Sequence, residues 1–302
     1  MRKFIRTSAL GAIVLAFALV AAACSSGGGT IEIGSFGFAE SQILGEIYAQ
    51  ALEAEGYDVN HQSGLGSRES VVQPAMESGE LNFVPEYLGS SLEVGFGGTP
   101  TSDPDATRTA LLAAAAGKDL TVLDYAPAED KNGYVVTSET ASTFGLANVS
   151  DLAAVSADLI FGGPSECDIR PRCLEGLYSV YGIPEFADVK ELDTGGPLTK
   201  TALGGGEIDV AMLFTSDGSI FANGWVLLND DQGLQPAENI IPLVSQELID
   251  DQGDEFVNLV NSITARISQA ELTEMNRQVG FDGESVEDVA AAFLQRNGFI
   301  GG

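Results

Sequence analysis

Positive charge, histidine, cysteine and tryptophan are all scarce in this 302-residue chain, which carries 14 Lys and Arg against 44 Asp and Glu, one His, three Cys and one Trp. So few basic side chains exclude nucleic acid as a partner, because nothing here neutralises a phosphate backbone. One histidine, His61, and three cysteines make a poor zinc site, and no metal or cofactor is expected. The glycine runs Gly34-Ser35-Phe36-Gly37 and Gly204-Gly205-Gly206 lack both the G-x-x-x-x-G-K pattern and the Rossmann spacing, so neither is a phosphate loop. No nucleophile paired with a base and no convincing carboxylate dyad emerges, so an enzyme is not expected. With 44% hydrophobic and 19% charged residues the chain is globular, without internal repeats.

What is present begins with Met1-Arg2-Lys3, Arg6 and an apolar run from Ala9 to Ala23. Basic start, short apolar middle and small residues make residues 1–23 a signal peptide, too short for a comfortable membrane span. Ala21-Ala22-Ala23-Cys24 resembles a bacterial lipoprotein box, with Ala21 in place of the usual leucine. The mature chain would then start at a lipidated Cys24, with residues 24–30 as a flexible tether; the alternative is an ordinary cleaved secretion signal. The acidic balance that remains is that of a soluble, self-repelling surface, and it does not identify a ligand.

The stretch Gly79-Glu80-Leu81-Asn82-Phe83-Val84-Pro85-Glu86-Tyr87-Leu88-Gly89-Ser90-Ser91 reads as a strand that delivers Tyr87 to a cleft rim. Before it, residues 30–36 alternate as a strand, and Ile43, Leu44, Ile47, Tyr48, Ala51 and Leu52 recur at helical spacing. A second strand starts at Tyr57, and Ser67 caps a helix that Gly79 terminates. Strand, helix, strand, helix, strand implies a parallel sheet with binding loops at the carboxyl ends of its strands. A helix over 105–116 and a strand at 120–123 follow. A first crossing at Lys131 to Ser138 opens a second series, with strands at 159–162 and 207–214, and a second crossing at 225–231 returns the chain for its C-terminal helices. The division is 31–133 with 229–302 as lobe I and 134–228 as lobe II.

Five segments, Phe38-Ala39-Glu40-Ser41-Gln42-Ile43-Leu44, Gly66-Ser67-Arg68-Glu69, Pro85-Glu86-Tyr87-Leu88-Gly89-Ser90, Leu213-Phe214-Thr215-Ser216-Asp217-Gly218 and Asp230-Asp231-Gln232-Gly233-Leu234-Gln235-Pro236, resemble in order the substrate-binding proteins of glycine betaine, carnitine and choline ABC transporters. The resemblance covers essentially all of the chain after the tether. It implies an α/β, two-lobed type II periplasmic-binding-protein fold, each lobe a mixed, mainly parallel sheet flanked by helices. It also implies a monomer, lipid-anchored to the outer face of the cell membrane, that hands a small zwitterionic or cationic solute to a membrane permease.

A quaternary ammonium has no N–H to donate, so electron-rich ring faces hold it, each contributing about 0.5 to 2 kcal/mol. Carried over by position, Tyr87 is one wall of such a cage, Tyr134 another and Phe214 a third. Arg170 matches the family arginine that binds a ligand carboxylate, with Arg172 as its rival. Phe38, Glu40 and Ser41, at the end of the first strand, and Tyr125, before the first crossing, are further candidates for the pocket. Cys167 and Cys173 bracket the arginine loop, and outside the cytoplasm such a pair is expected to form a disulfide. Tyr48, Tyr57, Tyr178, Tyr181 and Trp225 read as packing, and His61 as a surface strand residue. A glycine-betaine-like ligand is the leading expectation; proline betaine, ergothioneine, choline, carnitine or an amino acid is the alternative on the same fold. A sensory or interaction lipoprotein is the other alternative.

Overall fold

A computed structural model describes residues 29–301; the expected signal peptide and Cys24 lie outside the described residues. Ten strands form two five-stranded sheets. They are β1 Ile31–Phe36, β2 Val59–Leu65, β3 Phe83–Tyr87, β4 Leu120–Val122, β5 Asn132–Val136, β6 Ile160–Pro164, β7 Asp188–Leu192, β8 Val210–Phe214, β9 Val226–Leu227 and β10 Ile240–Ser245. The orders are β2-β1-β3-β10-β4 in lobe I and β7-β6-β8-β5-β9 in lobe II. Each sheet combines parallel pairings among its βαβ strands with antiparallel pairings on either side of one inserted strand, β10 or β5.

The two orders are the same arrangement. In each lobe a parallel trio meets one antiparallel strand, and that strand arrives from the opposite lobe through a crossing. Residues 124–131 lead from β4 into β5, and residues 235–239 lead from lobe II into β10. The crossings pair at the bridge between Glu129 and Asn239. The expected boundary between 133 and 134 therefore falls inside β5, which enters the lobe II sheet at Asn132. The return boundary moves later as well, because Asn229 bridges Asn148, the Asp231 carboxylate accepts from the Ser150 N–H, and the Tyr181 hydroxyl donates to Asp230, all within lobe II.

Lobe I holds the larger core. On the helix Ala39–Ala54 the residues Ile43, Leu44, Ile47, Tyr48, Ala51 and Leu52 are buried, as their spacing requires, against Phe83, Phe256 and the C-terminal helix Val286–Asn297. The Tyr48 hydroxyl meets the Thr264 hydroxyl at 2.8 Å, which satisfies a polar group that burial would otherwise penalise. Ser67 caps the turns that begin at Arg68, accepting from the Ser70 N–H, and Gly79 ends that helical segment in the left-handed region at φ 78°. Lobe II packs Tyr134, Phe161 and Phe186 against Leu174 and Leu177. No described helix is long and apolar enough to cross a membrane.

Candidate functional site

β3 and β8 both end on one cavity. Both are apolar runs whose last residue is aromatic, Tyr87 in Phe83-Val84-Pro85-Glu86-Tyr87 and Phe214 in Val210-Ala211-Met212-Leu213-Phe214. Both line a cavity of about 940 Å³ between the lobes, together with Phe38, Glu40, Asp130 and Trp225. Four of the sequence-predicted residues, Phe38, Glu40, Tyr87 and Phe214, are thus brought together.

The helix Ala39–Ala54 starts at the cavity with no side-chain cap at Phe38. Ser41, in its first turn, accepts from the Phe36 N–H at 2.9 Å and is fully buried, so it ties strand to helix and does not face the cavity. Phe38 stacks on Phe36 at 5.8 Å and tilts toward the Tyr87 ring at 6.1 Å, while the Arg68 guanidinium sits 5.0 Å over Phe36. Arg68 also grips Glu86 with two bonds of 2.8 Å, and Glu86 accepts from the Tyr87 N–H, which fixes the backbone that carries the ring. The Tyr87 hydroxyl donates to Glu40 at 2.7 Å. One wall of the cavity is therefore an ordered row of rings, held from behind by a buried ion pair.

Glu40 is the electrostatic centre of this wall. Burial raises its carboxyl above the usual range, against hydrogen bonds from Ser216, Tyr87 and Asn276 that favour the charge. Asp130, on the first crossing, is pushed well above the carboxylate range by burial and then by Glu40. Glu238, deeper toward the second crossing, is pushed up to about 7 by burial even though Ser90 donates to it twice, at 2.9 Å from both its N–H and its hydroxyl. From lobe II, Lys200 pairs with Asp217 at 2.6 Å, and Trp225 and Phe214 supply half-buried rings.

Besides Ser41, three expected contacts are elsewhere. Tyr134 is 1% exposed in the lobe II core, its ring 6.4 Å from Phe161 and its hydroxyl directed at the carbonyls of Arg172 and Cys173. The register explains this. Asn132, not Tyr134, lies opposite Phe214, so β5 has already run two residues inward from the cleft when Tyr134 is reached. Arg170 points to solvent and pairs with Glu166 on its own loop at 3.4 Å. Its neighbour Arg172 reaches the other lobe, where it pairs with Glu93, one bond being 3.1 Å. Cys167 and Cys173 are joined, with Cα atoms 5.1 Å apart, so the loop is closed as expected. The Tyr125 hydroxyl donates to Asp105, away from the cavity. His61 is less exposed than a surface strand residue, held between Ser35 at 2.9 Å and Glu46 at 3.0 Å.

Trp225, Arg68, Asp130, Asn276 and Lys200 are cavity residues that sequence reasoning did not assign. For Arg68 the signal was in plain view, since positive charges are few and this one sits in a glycine-broken loop after a strand. Among the described residues no cluster of His, Cys, Asp and Glu is suited to a metal ion.

Two α/β lobes of matching strand order, joined by two paired crossings around a ring-lined cavity, define a two-lobed solute receptor of the type II periplasmic-binding-protein class. The comparisons agree and narrow the class. Residues 29–296 match the family described as the substrate binding domain of ABC-type glycine betaine transport systems, and the chain belongs to that family. A glycine-betaine-binding protein of Pseudomonas aeruginosa is 32% identical over 89% of this chain and 88% of its own length. The carnitine transport binding protein OpuCC of Listeria monocytogenes is 28% identical over 100% of this chain and 99% of its own. A crystal structure described as a glycine betaine/carnitine/choline ABC transporter superposes with a TM-score of 0.83 at 28% identity, covering 89% of this chain and 99% of that one. This is an extracytoplasmic substrate-binding protein of ABC importers, and these relatives are transport proteins.

Proposed function

We propose that the cleft captures a small methylated amine of the glycine betaine type between the faces of Phe38 and Tyr87 from lobe I and Phe214 and Trp225 from lobe II, and that the loaded protein docks on a membrane permease. The observation that carries this reading is the composition of the cavity: aromatic faces beside two carboxylates, Glu40 and Asp130, that pair with no Lys or Arg among the described residues. Such a surface attracts a positive charge that cannot donate hydrogen bonds. Glu40 and Asp130 draw the cation in, and the rings replace its water. Tyr134, Ser41 and Arg170 are left out of this site; any ligand carboxylate turns to Lys200 or Arg68, two of the three cations that line the cavity, the third being Arg277, which Glu274 and Asp282 both hold. Tethering at Cys24 to the outer face of the membrane and action as a monomer complete the proposal, with no catalytic step.

The size of the cavity, about 940 Å³, favours a second reading on the same site, a bulkier zwitterion such as carnitine or ergothioneine. A thermal-shift panel of glycine betaine, proline betaine, choline, carnitine, ergothioneine and amino acids separates the two. A ligand at a hundred times its Kd adds about 2.7 kcal/mol to the folded state, and stabilisation by the small betaines is the expected result. Absence of any shift with every quaternary amine would sink the receptor assignment; a shift with the bulky zwitterions alone would select the second reading.

A further inference from the structure

Glu40 and Asp130 come from different parts of the molecule, the first turn of a lobe I helix and the first crossing, and meet on the cavity beside Ser216 of lobe II. The Ser216 N–H donates to Asp130 at 3.2 Å, and Asn276 donates both to Glu40 and to the Ser216 carbonyl, the latter at 3.0 Å. One carboxylate of lobe I and one of the crossing are therefore stitched to the same residue of lobe II.

Their charged neighbours are already committed. Asp217 is neutralised by Lys200 at 2.6 Å, Glu86 by Arg68 at 2.8 Å, and Glu129 by Lys131 at 2.7 Å. Glu238 is held by Ser90, and Arg277 is occupied by Glu274 and Asp282. Among the described residues no cation pairs with Glu40 or Asp130, and two carboxylates gathered round one residue, Ser216, do not both ionise freely.

We propose that Glu40 and Asp130 form an electrostatic subsite that exchanges a shared proton for the positive charge of the ligand, so that capture of an organic cation releases a proton to solvent. The proposal rests on the reading of the cleft as a cation receptor. In the empty cavity a proton bound to the pair relieves the repulsion between the two carboxyls. The entering cation relieves it instead, and the proton leaves to water. The raised titration of both groups agrees in direction. The sign follows from linkage: the ligand binds the ionised pair better, so affinity falls as pH drops through the pair's titration.

Calorimetry on the full protein with glycine betaine and with choline, in phosphate and in Tris, reads the proton directly, because the two buffers differ in ionisation heat and neither probe titrates near neutrality. The expected result is net proton release in both titrations, and affinity that weakens toward acid by up to about tenfold per pH unit. Asp130→Asn should abolish the release and flatten the pH profile; the wild-type proton count stands by itself if that variant folds poorly. Binding with no proton released and with constant affinity from about pH 8 to about pH 5 would overturn the exchange while leaving the receptor intact. No binding of either probe at any pH would overturn the receptor reading and this proposal with it.

Discussion

Tyr87 and Phe214 occupy equivalent positions, the last residue of the third parallel strand in each lobe, yet their surroundings differ. Tyr87 is 6% exposed, its hydroxyl is bound to Glu40, and its backbone is fixed by the Arg68–Glu86 pair. Phe214 is half-buried, has no hydroxyl, and is followed by the short helix Gly218–Ala222 and by Trp225. The lobe I half of the site is thus assembled before any ligand arrives, whereas the lobe II half is set by rings and short turns with fewer bonds. On the proposed function, the contrast puts the preorganised part of recognition in lobe I.

Two substitutions, one in each half, probe that contrast directly. The largest effect is expected from Arg68→Ala, which leaves Glu86, 1% exposed on its side chain, as an uncompensated buried charge. Loss of one partner of a buried pair costs about 3 to 5 kcal/mol, and the urea midpoint of the ligand-free protein should fall accordingly. A near-normal midpoint would show that the lobe I wall is not preassembled in this way. Trp225→Ala should act in the opposite sense, weakening ligand affinity about tenfold, or about 1.4 kcal/mol, with a smaller loss of stability than Arg68→Ala. If it unfolds the protein as readily as Arg68→Ala does, the two halves are not different in kind.

The smallest effect concerns the tie across the cleft. A double-mutant cycle on Arg172→Ala and Glu93→Ala, read as ligand dissociation rate, should give a coupling of about 0.2 to 1 kcal/mol, since both groups are partly exposed. Arg170→Ala, on the same loop but facing solvent, should leave affinity within about twofold. A large loss there would return the carboxylate role to Arg170 and remove the basis for assigning it to Lys200 or Arg68.

Periodicity made the fold legible because each helix buries one stripe and each strand ends at a turn residue, as Ile43 to Leu52 and Ser67 to Gly79 illustrate. The aromatic ends of β3 and β8 were equally readable, for a strand's last residue must meet whatever lies beyond the sheet. Tyr134 shows where such reading stops. Its distance from the cleft depends on antiparallel register with β8, a tertiary fact that a strand's own sequence does not carry. Arg170 and Arg172 differ by two positions on a closed loop, and which one turns to solvent depends on Glu93 being across the cleft. Trp225 read as packing, and it does pack against the cluster of Leu203, Ile208 and Ile220 in lobe II, yet it also lines the cavity.

The order in which the strands are made follows from the crossings. β10 fills the gap between β3 and β4, but it is the last strand of the chain, synthesised after the whole of lobe II. All five strands of lobe II, by contrast, lie in one unbroken stretch from Asn132 to Leu227. As the chain emerges, lobe II can close its sheet while lobe I still has an unfilled slot between β3 and its edge strand β4, so the amino-terminal half is not the first that can be completed. The wall that carries Tyr87 is then the last part of the protein to mature, finished only when Ile240 pairs beside it.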